Sequence, residues 1–191
     1  DAENLERMIA RGKPVRMKLK LTPKNVGMQT SGNVLAEVKG SNPDLLMIVI
    51  ACHLDSWDLG TGAIDDAAGC GIIGAAAKHL KSMGQPKRTV RLLWAGAEEV
   101  GIWGGRDYGE KHANEPHAFA MESDFGAGKV WAVDFRLPES ASALRGQIVS
   151  ALAPVGVVPP NEWAGGGADM GAIIAAQKLG IIDLQQDGTK Y

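Results

Sequence analysis

An apolar run over residues 45–52 ends on His53, and Asp55 follows two residues later. The run is continuous and rich in β-branched side chains over 46–51, which predicts a strand covered on both faces. Around it the pattern switches repeatedly between strand-like and helix-like stretches. Residues 1–14 open with helical spacing at Leu5, Met8 and Ile9 and break at Gly12 and Pro14. Val15, Met17, Leu19 and Leu21 alternate with basic residues, predicting a half-solvated strand over 15–21. A further strand is expected over 33–38, followed by a turn at 40–44. Residues 56–66 form a loop rich in Gly and Asp. Asp66 or its neighbourhood then caps a helix over 67–83, whose Ala and Gly content allows close packing and which Gly84 and Pro86 end. The pattern continues with a strand over 89–95 and a glycine-rich loop leading into a helix over 104–112. A short strand over 118–122 ends in Glu122-Ser123-Asp124, and another strand covers 129–133. A helix over 140–153 and a Pro/Gly loop over 154–168 follow. A short apolar element covers 173–176 and a strand 180–184, before a strand exit and turn over 185–191.

Strands alternating with helices predict an α/β three-layer sandwich, with a mostly parallel mixed central sheet and helices on both faces. Residues 1–32 have a different texture and read as a remnant of a neighbouring domain; 33–191 read as the main domain. The last strand has no closing helix, so the chain reads as cut at both ends and incomplete at its C-terminus.

Composition narrows the function classes. The chain has 191 residues, enough for a core that needs no staples. Its 20 basic and 22 acidic residues give a formal charge of −2, so neither a nucleic-acid nor a membrane-surface partner is expected. No run of apolar residues is long enough to span a bilayer, and the first residues do not form a signal peptide. Cys52 falls in the apolar strand and Cys70 in the Ala/Gly helix, and both are expected to be buried free thiols. Gly60-Thr61-Gly62 and Gly165-Gly166-Gly167 match neither a dinucleotide fingerprint nor a P-loop, and no nucleophile elbow is present.

The candidate chemistry lies just past the strand ends, where ligands bind in such sheets. His53 offers an imidazole, Asp65 and Asp124 offer carboxylates, and Glu98-Glu99 form an adjacent acidic pair. Two neighbouring acids repel and need a cation or a raised pKa to share a site. Nitrogen and oxygen donors without thiolate suit zinc, manganese or cobalt. One imidazole with three carboxylates carries too much charge for one zinc and fits two divalent ions, with Asp65 as the natural bridge. Asp55 is placed to orient the His53 ring. Taken singly, each position also has a plain reading: a helix cap at 65–66, a solvated helix start at 98–99, an Asx turn at Asp124. Their recurrence at successive strand ends favours the site. Trp57 reads equally as a pocket wall or a packed loop anchor. His79, His112 and His117 show no acidic partner pattern and are expected at the surface.

The stretch from His53 through Asp66, Glu98-Glu99-Val100-Gly101 and Glu122-Ser123-Asp124 resemble the di-zinc aminopeptidase/carboxypeptidase family, which includes secreted bacterial leucyl aminopeptidases and plasma glutamate carboxypeptidase. The resemblance runs from about residue 33 to 191. It implies that His53 and Glu99 bind one zinc, Asp65 bridges the pair, and Asp124 binds the second. It also implies that Glu98 is the general base on a metal-activated bridging water and that Asp55 orients His53. Residues 1–32 would be the end of an inserted protease-associated domain. The family's last metal-binding histidine would fall beyond Tyr191. The implied activity is exopeptidase, of aminopeptidase or dipeptidase type, on small peptides near a free N-terminus; a catalytically incomplete metal-binding fragment is the alternative. A glutaminyl cyclase on the same scaffold is disfavoured by the Glu98-Glu99 pair and the bridging Asp65. The family further implies a secreted or periplasmic location and leaves room for a homodimer.

Overall fold

The computed structural model describes residues 2–12, 14–159 and 163–188. Pro160, Asn161 and Glu162 of the expected Pro/Gly loop, and Thr189, Lys190 and Tyr191 of the expected terminal turn, lie outside the described residues, as do Asp1 and Lys13. The chain divides into two compact units, residues 1–30 and 31–191.

The first unit holds one helix, α1 (Ala2–Ala10), with no buried residue. The strand expected over 15–21 is not there: Met17, Leu19 and Leu21 are exposed, and no regular element follows α1 within this unit among the described residues. Period-two alternation makes a strand only where a neighbour completes the hydrogen-bond ladder, and the described residues of this unit contain no second strand to do so.

The second unit is built on a six-stranded sheet with strands β1 (Val34–Val38), β2 (Met47–His53), β3 (Val90–Ala95), β4 (His117–Glu122), β5 (Val130–Arg136) and β6 (Gly180–Gln186). Their spatial order is β1-β3-β2-β4-β6-β5. β2, β3, β4 and β6 run parallel, while β1 and β5 are antiparallel edges. The α/β architecture expected from the pattern, a mixed, mostly parallel sheet between helices, is the one found. β2 is apolar on both faces because both faces are covered. Val49 and Ala51 join Leu93, Ala95 and Ala120 against Tyr108 of α3 (Trp103–Lys111), Ile173 of α5 (Gly171–Ala176) and Met170, which caps α5. Cys52 and Leu92 meet Ile73 of α2 (Ala67–Ser82) on the other face. α4 (Ser142–Leu152) lies between β5 and the loop leading to α5 in the chain.

The cysteines are not free thiols. Cys52 and Cys70 form a disulfide, with their Cα atoms 5.2 Å apart. Cys52 is the last β2 residue facing α2, and Cys70 lies in the first turn of that helix. Tight packing of a small-residue helix on the strand therefore brings the two sulfurs within bonding reach. Two of the histidines expected at the surface are also placed differently. His117 opens β4 and is buried, its Nε2 2.7 Å from the Tyr108 hydroxyl and its N–H bonded to Gln177 Oε1. His112 is partly buried and pairs with Glu115 at 2.9 Å, beside Arg91. Only the exposed His79 behaves as expected among these three.

Register decides where the strands end. His53 is paired with Ala95, and Ala51 with Glu122, so the C-terminal ends of β2, β3 and β4 reach one edge of the sheet together. The residues that follow them are 54–66, 96–102 and 123–124. No helix among the described residues is long and apolar enough to cross a membrane.

Candidate metal centre

His53 is 1% exposed at the tip of β2. Its Nδ1 is 3.0 Å from the backbone carbonyl of Asp55, a group that only accepts, so the ring proton resides on Nδ1. The Nε2 lone pair then faces outward, 3.0 Å from Asp65 Oδ1 and 3.7 Å from Asp124 Oδ1. A lone pair facing two carboxylates needs a cation between them, which is the arrangement of a metal ligand held by its second nitrogen. Without one, the neutralising cation is a proton. Burial opposes charging the ring, but Asp124, Asp66 and Glu98 together outweigh it and raise its pKa.

Asp55 lies near His53, but its carboxylate does more than face the ring. Oδ1 is 3.8 Å from Nδ1, whereas the two carboxylate oxygens accept from the amides of Glu98 at 2.8 Å and Glu99 at 3.1 Å. One residue therefore ties the β2 end, through its carbonyl, to the β3 end, through its carboxylate. The Glu98-Glu99 turn is tightly specified. Glu98 O accepts from Gly101 and Ile102, and Ala97 and Ile102 both adopt left-handed backbone (φ 59° and 58°) that non-glycine residues rarely take. Asn33 pins the same turn, donating to Gly104 O and accepting from Gly96 N–H.

Asp65 and Asp66 follow at the start of α2. Asp65 is exposed and reaches His53. Asp66 is buried and serves as the helix cap, accepting from Gly69 N–H and from His53 N–H. Burial pushes its pKa up to about 7. His53, Asp66 and Asp124 offer atoms close enough to group around an ion, as do His53, Asp65 and Glu99. In the first group Asp66 already has both carboxylate oxygens bonded to amides, which leaves the second as the better donor set, with Asp124 beside it. Gly69 lets α2 approach the sheet edge, since a Cβ there would strike Ser123 O and the Asp66 carboxylate.

All the residues expected to carry chemistry are thus at one sheet edge: His53, Asp55, Asp65, Glu98, Glu99 and Asp124. Trp57 stands 64% exposed on the loop over this edge, so it is not a packed anchor. Burial, countered by His53, raises the Asp124 pKa to about 6, and burial likewise raises that of Glu98. Two buried acids close to this edge escaped the sequence reading. Glu122, the last residue of β4, has its pKa pushed up to about 9 by burial and then by Asp169 and Asp124. Asp169, just before α5, is pushed up to about 7 by burial and then by Glu98. An acid in an inward position at the end of an apolar strand was a usable signal for Glu122. Asp169 follows three glycines and looks like an ordinary turn residue.

This donor set, of one imidazole and carboxylates, fits hard or borderline divalent ions. Residues 33–191 match the model of peptidase family M28. Carboxypeptidase Q from Bos taurus is 34% identical over 173 residues, covering 89% of this chain and 36% of that protein. Carboxypeptidase Q from Mus musculus is 34% identical over 194 residues, covering 100% of this chain and 41% of that protein. The chain therefore spans well under half the length of these relatives. A peptidase M28 precursor from Shewanella amazonensis superposes with a TM-score of 0.88 at 41% identity, covering 100% of this chain and 43% of that one. BSAP, a zinc aminopeptidase from Bacillus subtilis, shares the fold at 19% identity, with a TM-score of 0.59 over 83% of this chain and 40% of its own.

Proposed function

Given that the chain belongs to peptidase family M28, we propose that it forms the catalytic part of a metal-dependent exopeptidase, of aminopeptidase or dipeptidase type, acting on small peptides. The observation that carries this reading is the grouping of a His53 ring nitrogen with Asp65 and Glu99 oxygens within 4.8 Å of one another, with Asp124 3.7 Å from His53 Nε2. His53 and Glu99 would hold one divalent ion, Asp65 would bridge, and Asp124 would hold a second; zinc suits the donors and is the metal in the Bacillus subtilis relative's name. When bound, such a pair supplies Lewis acidity toward the scissile carbonyl and a more acidic water. The reading of residues 1–32 as the return of an inserted domain, and a secreted or periplasmic location, belong to the same proposal.

The protein's own groups then have defined tasks. Glu98, partly buried with a raised pKa, takes the proton of the attacking water and delivers it to the leaving amine. Asp55 fixes where Glu98 and Glu99 stand by gripping both amides, and its carbonyl keeps the His53 proton on Nδ1. Trp57 is exposed above the edge, where it can cover an apolar substrate side chain.

The test is hydrolysis of aminoacyl and dipeptide substrates by wild type and E98A, with metal content measured in both. Activity lost to a chelator and restored by zinc, and a loss of two or more orders of magnitude in kcat for metal-loaded E98A, are expected. Undiminished turnover in E98A would refute the assignment.

A further inference from the structure

The turn that carries Glu98 and Glu99 is closed at its neck by a side chain from outside it. The turn runs from Gly96, just past β3, to Gly104 in the first turn of α3. One backbone bond crosses the neck directly, from Gly104 N–H to Gly96 O at 2.9 Å. The complementary groups, Gly96 N–H and Gly104 O, are bridged by Asn33 instead. Its Oδ1 accepts from Gly96 N–H at 3.1 Å, and its Nδ2 donates to Gly104 O at 2.9 Å. A primary amide carries a donor and an acceptor on one planar group, so it satisfies both backbone groups as a peptide unit would.

The sequence on both sides makes room for this bridge. Asn33 immediately precedes β1, and Val34 pairs with Trp94, so the antiparallel edge strand begins at the sheet edge where β3 ends. A Cβ on Gly104 would strike Asn33 Oδ1 and the Gly96 backbone, and a Cβ on Gly96 would strike Gly32 O and Ser31 Oγ. Within the turn, Ala97 and Ile102 are left-handed, Gly101 has a φ of 138°, and Ile102 gives α3 no side-chain cap. Left-handed backbone at non-glycine residues persists only where surrounding bonds over-determine it. Asp55 supplies two such bonds at the crown of the turn, to Glu98 N–H and Glu99 N–H, and Asn33 supplies two at the neck. The two clamps come from different parts of the chain and grip different backbone groups.

We propose that Asn33 is a positioning residue for Glu98 and Glu99: by bridging Gly96 N–H and Gly104 O it closes the neck of their turn, keeping Glu99 within reach of His53 and Asp65 and Glu98 beside it. This rests on the reading of Glu98 as the general base and Glu99 as a metal ligand. Without the bridge, two partly buried backbone groups lose their partners and the left-handed turn relaxes. The base and the ligand then sample positions away from the reacting water, so turnover falls in protein that still folds and binds substrate.

The test uses N33A and N33D, first without metal. Amide hydrogen exchange in metal-free N33A should accelerate at Glu98, Glu99 and Ile102 by about tenfold or more beyond any acceleration at His53 and Gly69, whose amides Asp66 holds. In metal-saturated protein that is folded at the assay temperature, N33A should lose about 10–100-fold in kcat, with KM within about threefold of wild type. N33D can still accept from Gly96 N–H but cannot donate to Gly104 O, so it should fall between wild type and N33A in both measurements. Exchange that is unchanged, or that rises by one common factor at all five amides, would overturn the proposal and make Asn33 a packing residue. Unaltered kcat in folded, metal-saturated N33A would overturn it as well. Inactive wild type, or fully active E98A, would instead sink the functional reading; the metal-free exchange would still decide whether Asn33 holds the turn.

Discussion

Breaking the Cys52–Cys70 bond should destabilise the protein by an amount that its loop length sets. The bridge spans 18 positions, and the enclosed segment contains His53, Asp55, Asp65 and Asp66. In the chain-entropy treatment a loop of that size restricts the unfolded state by about 3 kcal/mol at 25 °C. For a chain of this length each kcal/mol moves the melting point by roughly 2–4 °C, so a fall of about 6–12 °C is expected. Two routes separate the cross-link from packing. Reduction of wild type removes only the bond, whereas C52A/C70A also leaves small cavities, because Cys52 is fully buried, and should fall by about 1 kcal/mol more. Melts should be run on metal-free protein, since a bound ion stabilises the native state by mass action and would mask the difference. The urea m-value should rise on reduction, because the released chain exposes more surface when unfolded. Thiol titration of the denatured, unreduced protein should find no free cysteine. Two titratable thiols, or identical midpoints before and after verified reduction, would refute the reasoning and restore the sequence expectation of buried thiols.

Two other expectations concern the site and its foundation. D55A removes the acceptor for two amides and leaves Glu98 N–H and Glu99 N–H unpaired, so metal-free stability should fall by about 2–4 kcal/mol in chemical denaturation, with D55N losing less. His117 has its pKa lowered, mainly by burial, so the folded state resists protonating it. The unfolded state then binds more protons below its own histidine value of about 6.5, and stability should be intact above that pH and decline as pH falls through the folded value. H117Q should flatten this part of the stability–pH profile; an unchanged profile would show that His117 is not its source.

Legibility followed the range of the forces involved. β2, β3 and α2 were readable because burial on both faces leaves a continuous apolar run, and because Ala and Gly concentrate where a helix must come close. The alternation at 15–21 looked equally clear, yet pattern describes one face of a strand and says nothing about whether a partner strand exists. His53, Glu98, Glu99 and Asp124 were visible since each lies at or just past a strand end, and parallel strands end together, while Asp65 was visible in the acidic turn before α2. The disulfide was invisible because it depends on which face of β2 Cys52 takes and on how closely α2 packs. His117 depends on Tyr108, nine residues away in α3, and on the distant Gln177, while Asp169 depends on the distant Glu122 and Gly105.

The buried acids explain why the site reads as incomplete without a cation. Asp66, Glu122, Asp124 and Asp169 all have raised pKa values, and burial is the first cause for each. Burial alone is met by hydrogen bonding at Asp66, where two amides reach the carboxylate. Neither Glu122 Oε1 nor either Asp169 oxygen has such a partner among the described residues. A scaffold that collects acids around one imidazole therefore stores unfavourable interaction energy in its metal-free state, and protons relieve part of it. Divalent charge at the proposed site of His53, Asp65, Glu99 and Asp124 would lower that energy directly, which would link metal binding to folding stability through the same carboxylates. The linkage assigns different work to the two sets of acids. The exposed and half-buried acids at the strand ends form the proposed site, and behind them Glu122 accepts the Asp169 N–H and fastens that loop to β4.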